Sequence, residues 1–179
     1  MAIGRPLDIT AELLEAFRHS GAVTGYLVGI LPNDVWRVDP PSGRGRSIAA
    51  IVAHIQSVRR TFARMGGAQP AGVSLDRRRV TRAQAQAAIR ASTRGLAKVF
   101  AAAFEDGRAR VTGQPRRAVN MLTYLIQHDA HHRGQICGLA RDLGHQFTTA
   151  DIMRLWGWKK LPEPSARLRA SASKQVSRP

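Results

Sequence analysis

The chain has 179 residues and a net charge of +16, and 44% of its residues are hydrophobic, so it is long enough for one domain with a buried core. No apolar run approaches the roughly 20 residues of a membrane span, and the N-terminus lacks the apolar segment of a secretory signal. These features exclude a membrane-spanning or secreted protein and predict a cytoplasmic one, and the single cysteine, Cys137, excludes an internal disulfide and a CxxC metal site.

Four long helices are predicted from the helical periodicity of the apolar side chains, and each is bounded by a capping residue, a proline or a glycine. The segments between them are rich in Pro, Gly and Arg and are predicted to be loops. A short fifth helix follows. In chain order, the predicted helices cover residues 8–31, 47–65, 81–105, 116–143 and 149–158. The N-capping candidates are Asp8, Thr10, Ser47 and Thr81.

Four long helices in one domain predict an all-α fold, a four-helix bundle with a short additional C-terminal helix. The predicted domain covers residues 1–160. Residues 161–179 contain few large apolar side chains, so their burial cannot offset the conformational entropy that is lost when a segment becomes ordered. We therefore predict a flexible basic tail over residues 161–179.

The fourth predicted helix contains the sequence HDAHHRGQ. At about 100° per residue, His128 and His132 lie in the middle of its apolar stripe, whereas Asp129 and His131 lie on the shoulders. Two buried neutral imidazoles need partners for their ring nitrogens, and a divalent metal ion provides one. The spacing of four residues is also that of the two zinc ligands in HExxH helices. Two histidines four residues apart, without a third, are more commonly a hydrogen-bonded pair in the core than a metal site.

A third histidine favours the metal. His54 lies at the edge of the apolar stripe of the second predicted helix, so it meets His128 and His132 if the second and fourth helices are neighbours. Three imidazoles leave at least one open coordination position, which is typical of catalytic metal sites. We therefore predict a divalent metal site formed by His54, His128 and His132, and we assign no catalytic residue.

These segments resemble the DinB/YfiT-like family of metalloproteins, also called damage-inducible or DinB-like proteins. The resemblance rests on GRSIAAIVAHIQ around His54, on HDAHHRGQ at residues 128–135 and on the LARDLGH that follows. It implies an up-down-down-up four-helix bundle, often dimeric, in which His54, His128 and His132 hold zinc, nickel or a similar divalent ion. Some relatives look like transferases of low-molecular-weight thiols, and others are isomerases that use such a thiol.

The leading hypothesis is a homodimeric metal-dependent thiol transferase or hydrolase that acts on a small-molecule substrate, with a low-molecular-weight thiol as candidate co-substrate. The alternative is a nucleic-acid-associated protein in which the metal only braces the bundle, because Lys and Arg displace counterions from phosphate. Nucleic acid is not favoured, since the basic residues are spread along the chain without a recognisable binding motif. Their densest cluster, residues 76–82, is predicted to be a solvated and partly mobile loop.

Asp129, Arg133, Cys137 and the three tryptophans have open or minor roles. Asp129 is predicted either to orient a metal-bound histidine or, more commonly, to form a salt bridge with Arg133 four residues later. Arg133 points away from the metal and is assigned a structural or interfacial role, and Cys137 lies on the far side of the helix. The three tryptophans either wall a pocket or, more commonly, pack against the bundle.

Overall fold

The computed structural model describes residues 6–70, 72–107, 110–111 and 117–162. This part of the chain contains six helices and no strand, which confirms the predicted all-α fold. None of these helices has the length and hydropathy needed to cross a membrane. The helices are α1 (Ile9–Ile30), α2 (Asn33–Trp36), α3 (Ile48–Met65), α4 (Arg82–Glu105), α5 (Ala118–Asp142) and α6 (Thr149–Leu155).

Side-chain caps determine where the long helices begin. The Asp8 carboxylate and the Ser47 hydroxyl each accept a hydrogen bond from a backbone amide in the first turn of α1 and α3. At α4, Thr81 and Gln84 cap each other's backbone amides reciprocally. The predicted starts of these three helices are therefore confirmed, whereas Thr10 lies inside α1 and caps nothing there.

The segment after α1 differs from the prediction of a loop, because it contains the four-residue helix α2. Trp36 of α2 is buried, and its indole Nε1 donates a hydrogen bond to the carbonyl oxygen of Val80 at 2.8 Å. Arg82 Nε donates to Asn33 Oδ1 at 3.0 Å. Helix α2 is therefore joined to the residues at the start of α4, and for Trp36 the predicted packing role is correct.

The four long helices belong to a unit that ends at Gln146, and within it α1 and α3 each pack against both α4 and α5. Phe17 of α1 and Phe100 of α4 meet edge to face in its core, with ring centroids 5.2 Å apart. Met121 and Leu125 of α5 are buried in the same cluster. This packing agrees with a four-helix bundle, and the up-down-down-up order stays a prediction.

Helix α6 belongs to a second unit, which begins at Phe147. Thr148 and Asp151 form a capping box at its start. The predicted fifth helix is therefore present, but it ends three residues early, at Leu155. The φ of +80° at Gly157 is a left-handed conformation that ends helices.

Two tryptophans follow α6, and their side chains are exposed, in contrast to the packing role predicted for them. Trp156 is 66% exposed and Trp158 is 76% exposed. The predicted tail over residues 161–179 lies outside the described residues except for its first two positions. The tail and the domain boundary at residue 160 stay predictions.

Gly21 allows α1 to approach α4 closely, since a Cβ added to it would lie 2.3 Å from Thr93 Oγ1. Gly21→Ala is expected to lower the free energy of unfolding by about 1–3 kcal/mol, because Thr93 must shift. Urea denaturation followed by circular dichroism measures this. Gly25→Ala is the control in the same helix: its added Cβ meets no atom within 4 Å, so it is expected to stabilise by up to about 1 kcal/mol. Equal effects of the two variants would contradict the close approach.

Candidate metal centre

Helices α3 and α5 bring three histidines together. His54 of α3 and His128 and His132 of α5 each offer one ring nitrogen, and these nitrogens all lie within 4.8 Å of one another. Nε2 of His128 is 3.1 Å from Nε2 of His132 and 3.4 Å from Nε2 of His54. The three side chains predicted from helical periodicity thus form one cluster.

The cluster has the donor set and the spacing of a divalent metal site. Two nitrogens bound to one zinc ion at about 2.0–2.1 Å and at tetrahedral angles are about 3.4 Å apart. Hydrogen bonds alone satisfy the cluster less well. His132 Nδ1 lies 2.7 Å from Gln135 Oε1, so Nδ1 carries the proton of the neutral ring. His128 Nε2 contacts the Nε2 atoms of both His54 and His132, and a single proton on it can form a hydrogen bond with only one of them.

The surroundings favour the neutral form of His54 and of His132. Burial and then the nearby charge of Arg46 lower the pKa of His54. Burial also lowers the pKa of His132, although its hydrogen bond with Gln135 acts in the opposite direction. Neutral imidazole is the form that binds metal ions. Because their pKa values are lowered, His54 and His132 stay neutral to a lower pH than a free histidine does.

Gln135 orients His132. Its Oε1 accepts the Nδ1–H of His132, and its own amide lies 3.0 Å from Nε2 of the exposed His131. The first of these hydrogen bonds leaves the lone pair on His132 Nε2 directed toward the cluster. The sequence correctly placed His131 outside the site, but the orienting role of Gln135 was not predicted.

A buried ion pair lies beside the histidines. Arg59 of α3 is 0% exposed and Asp129 of α5 is 1% exposed, and Arg59 donates hydrogen bonds to both carboxylate oxygens of Asp129. Burial alone would raise the pKa of Asp129, but the charge of Arg59 and its hydrogen bonds to the carboxylate lower it, so the carboxylate is ionised. Asp129 Oδ1 is 3.8 Å from His128 Nδ1.

The guanidinium of Arg59 also binds α4, where it donates to the carbonyl oxygen of Ile89 at 3.2 Å and to Thr93 Oγ1 at 2.7 Å. A single side chain therefore joins three helices. Arg59 was not predicted to be buried, although it follows Ile51 by eight residues and Ile55 by four, which places it on the apolar face of α3.

The predicted salt bridge between Asp129 and Arg133 is wrong. Arg133 instead donates to the carbonyl oxygen of Ser20 at 3.3 Å and to Thr24 Oγ1 at 3.0 Å, both in α1. Asp129 pairs with Arg59 because a carboxylate directed into the core needs a buried cationic partner there. The structural role assigned to Arg133 agrees with its contacts.

Two grooves open beside the cluster, and Arg46 lines both. The larger groove has a volume of about 520 Å³ and includes His132; the smaller has a volume of about 280 Å³ and includes His54. The larger groove is lined by Pro40, Gly45, Arg46, Ile51, His132, Gln135, Gly138, Leu139 and Asp142. The smaller groove is lined by Arg46, Ala50, Ala53, His54, Ser57, Leu75 and Arg77.

Comparison with known protein families gives a match that includes all three histidines. The model of the DinB family matches residues 6–165. The chain belongs to the DinB family. Neither a search of curated proteins nor a search of solved structures gave a significant match. The resemblance stated from the sequence is therefore confirmed at the level of the family.

In this DinB-family protein, the arginine-rich segment before α4 is an exposed connection, as predicted, and it forms a hydrogen-bonded turn; its partial mobility stays a prediction. Asp76 Oδ1 accepts hydrogen bonds from the backbone amides of Arg78 at 2.7 Å and Arg79 at 3.3 Å. An aspartate that accepts amides two and three residues later forms a stable turn. The turn carries Arg77, which lines the smaller groove.

Cys137 is half-buried, and it is not among the residues that line the two grooves. Burial raises the pKa of its thiol, so the thiolate is disfavoured at neutral pH. The tryptophans are likewise not among the lining residues. The groups that line the two grooves are therefore imidazole, amide, hydroxyl, arginine and apolar side chains, together with the carboxylate of Asp142.

Proposed function

We propose that this DinB-family protein is a divalent-metal enzyme of the thiol-transferase or hydrolase type that acts on a small-molecule substrate. Zinc or nickel would be held by His54, His128 and His132. The observation that supports this most directly is the convergence of three Nε2 atoms beside two open grooves. Three protein ligands leave room for a reactant, whereas structural zinc sites are closed by four.

A divalent cation at this place would lower the pKa of a thiol or water that reaches the cluster. The chain's own residues prepare the site. Gln135 holds the proton of His132 on Nδ1, and the Arg59–Asp129 pair joins α3 to α5, the two helices that carry the histidines. The two grooves have room for two reactants, such as a low-molecular-weight thiol and the compound that accepts it.

The nucleic-acid alternative has less support. Arg59, Arg82 and Arg133 donate hydrogen bonds to groups within the protein, so part of the positive charge does not face a phosphate backbone. We retain a cytoplasmic homodimer as part of the proposal, and it rests on the family resemblance alone.

The proposal is tested by metal content. Protein purified without a histidine tag is expected to contain about one divalent ion per chain by elemental mass spectrometry. Chelator-stripped protein should regain transfer of a low-molecular-weight thiol to an electrophile only after zinc or nickel is restored. No metal, even after reconstitution, would contradict the site. Metal that alters only the unfolding transition and supports no reaction would indicate a structural ion instead.

A further inference from the structure

The smaller groove is a basic recess. Arg46 comes from the loop that leads into α3, and Arg77 comes from the turn that leads into α4. Apart from His54, its remaining lining residues are small or apolar, and none carries a carboxylate. Two separate loops therefore direct positive charge to one recess beside a candidate metal ligand.

No described carboxylate neutralises these two arginines. Within the described residues, neither Arg46 nor Arg77 is within 4.0 Å of a carboxylate oxygen, and no acidic side chain lines the recess. Two guanidinium groups that line one groove repel each other unless an anion lies between them. An anionic group that accepts hydrogen bonds from both would relieve this repulsion.

We propose that the smaller groove binds an anionic group, carboxylate or phosphate, of the small-molecule substrate through Arg46 and Arg77. This anion site rests on the proposed function, because the anionic compound that it binds would be a reactant placed beside His54. The larger groove is the poorer candidate for the anion, since it contains the carboxylate of Asp142. A volume of about 280 Å³ suits a small molecule rather than a polymer.

The test uses metal-free, full-length protein with succinate as the probe, in isothermal titration calorimetry at low ionic strength. Arg46→Gln and Arg77→Gln are each expected to weaken succinate binding at least about fivefold, because each removes a partly exposed charge-assisted hydrogen bond to the succinate carboxylate. Arg44→Gln and Arg78→Gln are the matched controls. Both lie in the same two loops, are exposed and are not among the groove-lining residues, so they should change the affinity less than about twofold.

Equal weakening in all four variants would show only a diffuse effect of charge and would overturn the proposal. So would the absence of succinate binding by the parent protein. Metal content is measured on the same preparations before the metal is stripped. A parent protein without metal that still binds succinate through Arg46 and Arg77 would refute the proposed metal chemistry and leave the anion site standing.

Discussion

Replacement of Asp129 by alanine is expected to lower the free energy of unfolding by about 3–5 kcal/mol, because it leaves the fully buried guanidinium of Arg59 without its counter-charge. Urea denaturation of metal-free protein, followed by circular dichroism, measures the loss without interference from metal binding. Few single substitutions in a domain of this size have a larger effect.

Asp142→Ala is the control for Asp129, since Asp142 is an exposed carboxylate on the same helix, and it should change stability by less than about 0.5 kcal/mol. The double variant Arg59→Met with Asp129→Leu should be more stable than Asp129→Ala, because both charges leave the core together. A loss below about 1 kcal/mol in Asp129→Ala would show that water or another anion reaches Arg59.

Replacement of His128 or His132 by alanine is expected to abolish stoichiometric metal binding. Loss of a group that only orients a metal ligand typically costs 10–100-fold in affinity, so loss of the ligand itself should cost at least about 100-fold. Elemental mass spectrometry after gel filtration measures the retained ion, and circular dichroism shows whether the variant is folded. The same loss is expected for His54→Ala.

His131→Ala is the matched control, because His131 is an exposed neighbour on the same helix whose ring contacts that of His132 but whose nitrogens do not belong to the ligand cluster. It should keep about one ion per chain, as expected for a residue outside the ligand set. Full metal retention in a folded His128→Ala or His132→Ala variant would show that the ligand assignment is wrong, whatever reaction the protein catalyses.

Local signals in the sequence were sufficient for the four long helices and for the histidine cluster. Asp8, Ser47 and Thr81 marked the helix starts because a side-chain cap acts on amides only two or three residues away. His128 and His132 were found because their four-residue spacing places them on one face of one helix. His54 required the assumption that α3 and α5 are neighbours, which the observed packing bears out.

The features that were missed depend on contacts distant in sequence or on segments too short to show a period. Arg59 and Asp129 are 70 positions apart. An unpaired charge is unfavourable in the core, so the position of Arg59 on the apolar face of α3 could not be interpreted without its partner. Helix α2 has only four residues and therefore no apolar repeat. The solvation of the arginines after Asp76 was predicted correctly, but the turn that Asp76 forms with their backbone amides was not.

The contact between Trp36 and Val80 has a consequence for the affinity of the two grooves. Trp36 precedes the loop that carries Arg46, and Val80 follows the turn that carries Arg77, so one buried hydrogen bond restrains both segments before any ligand arrives. A ligand that meets restrained loops loses less of its binding free energy to the ordering of side chains and backbone. Even weak, solvent-exposed arginine contacts can then hold a small molecule in one orientation.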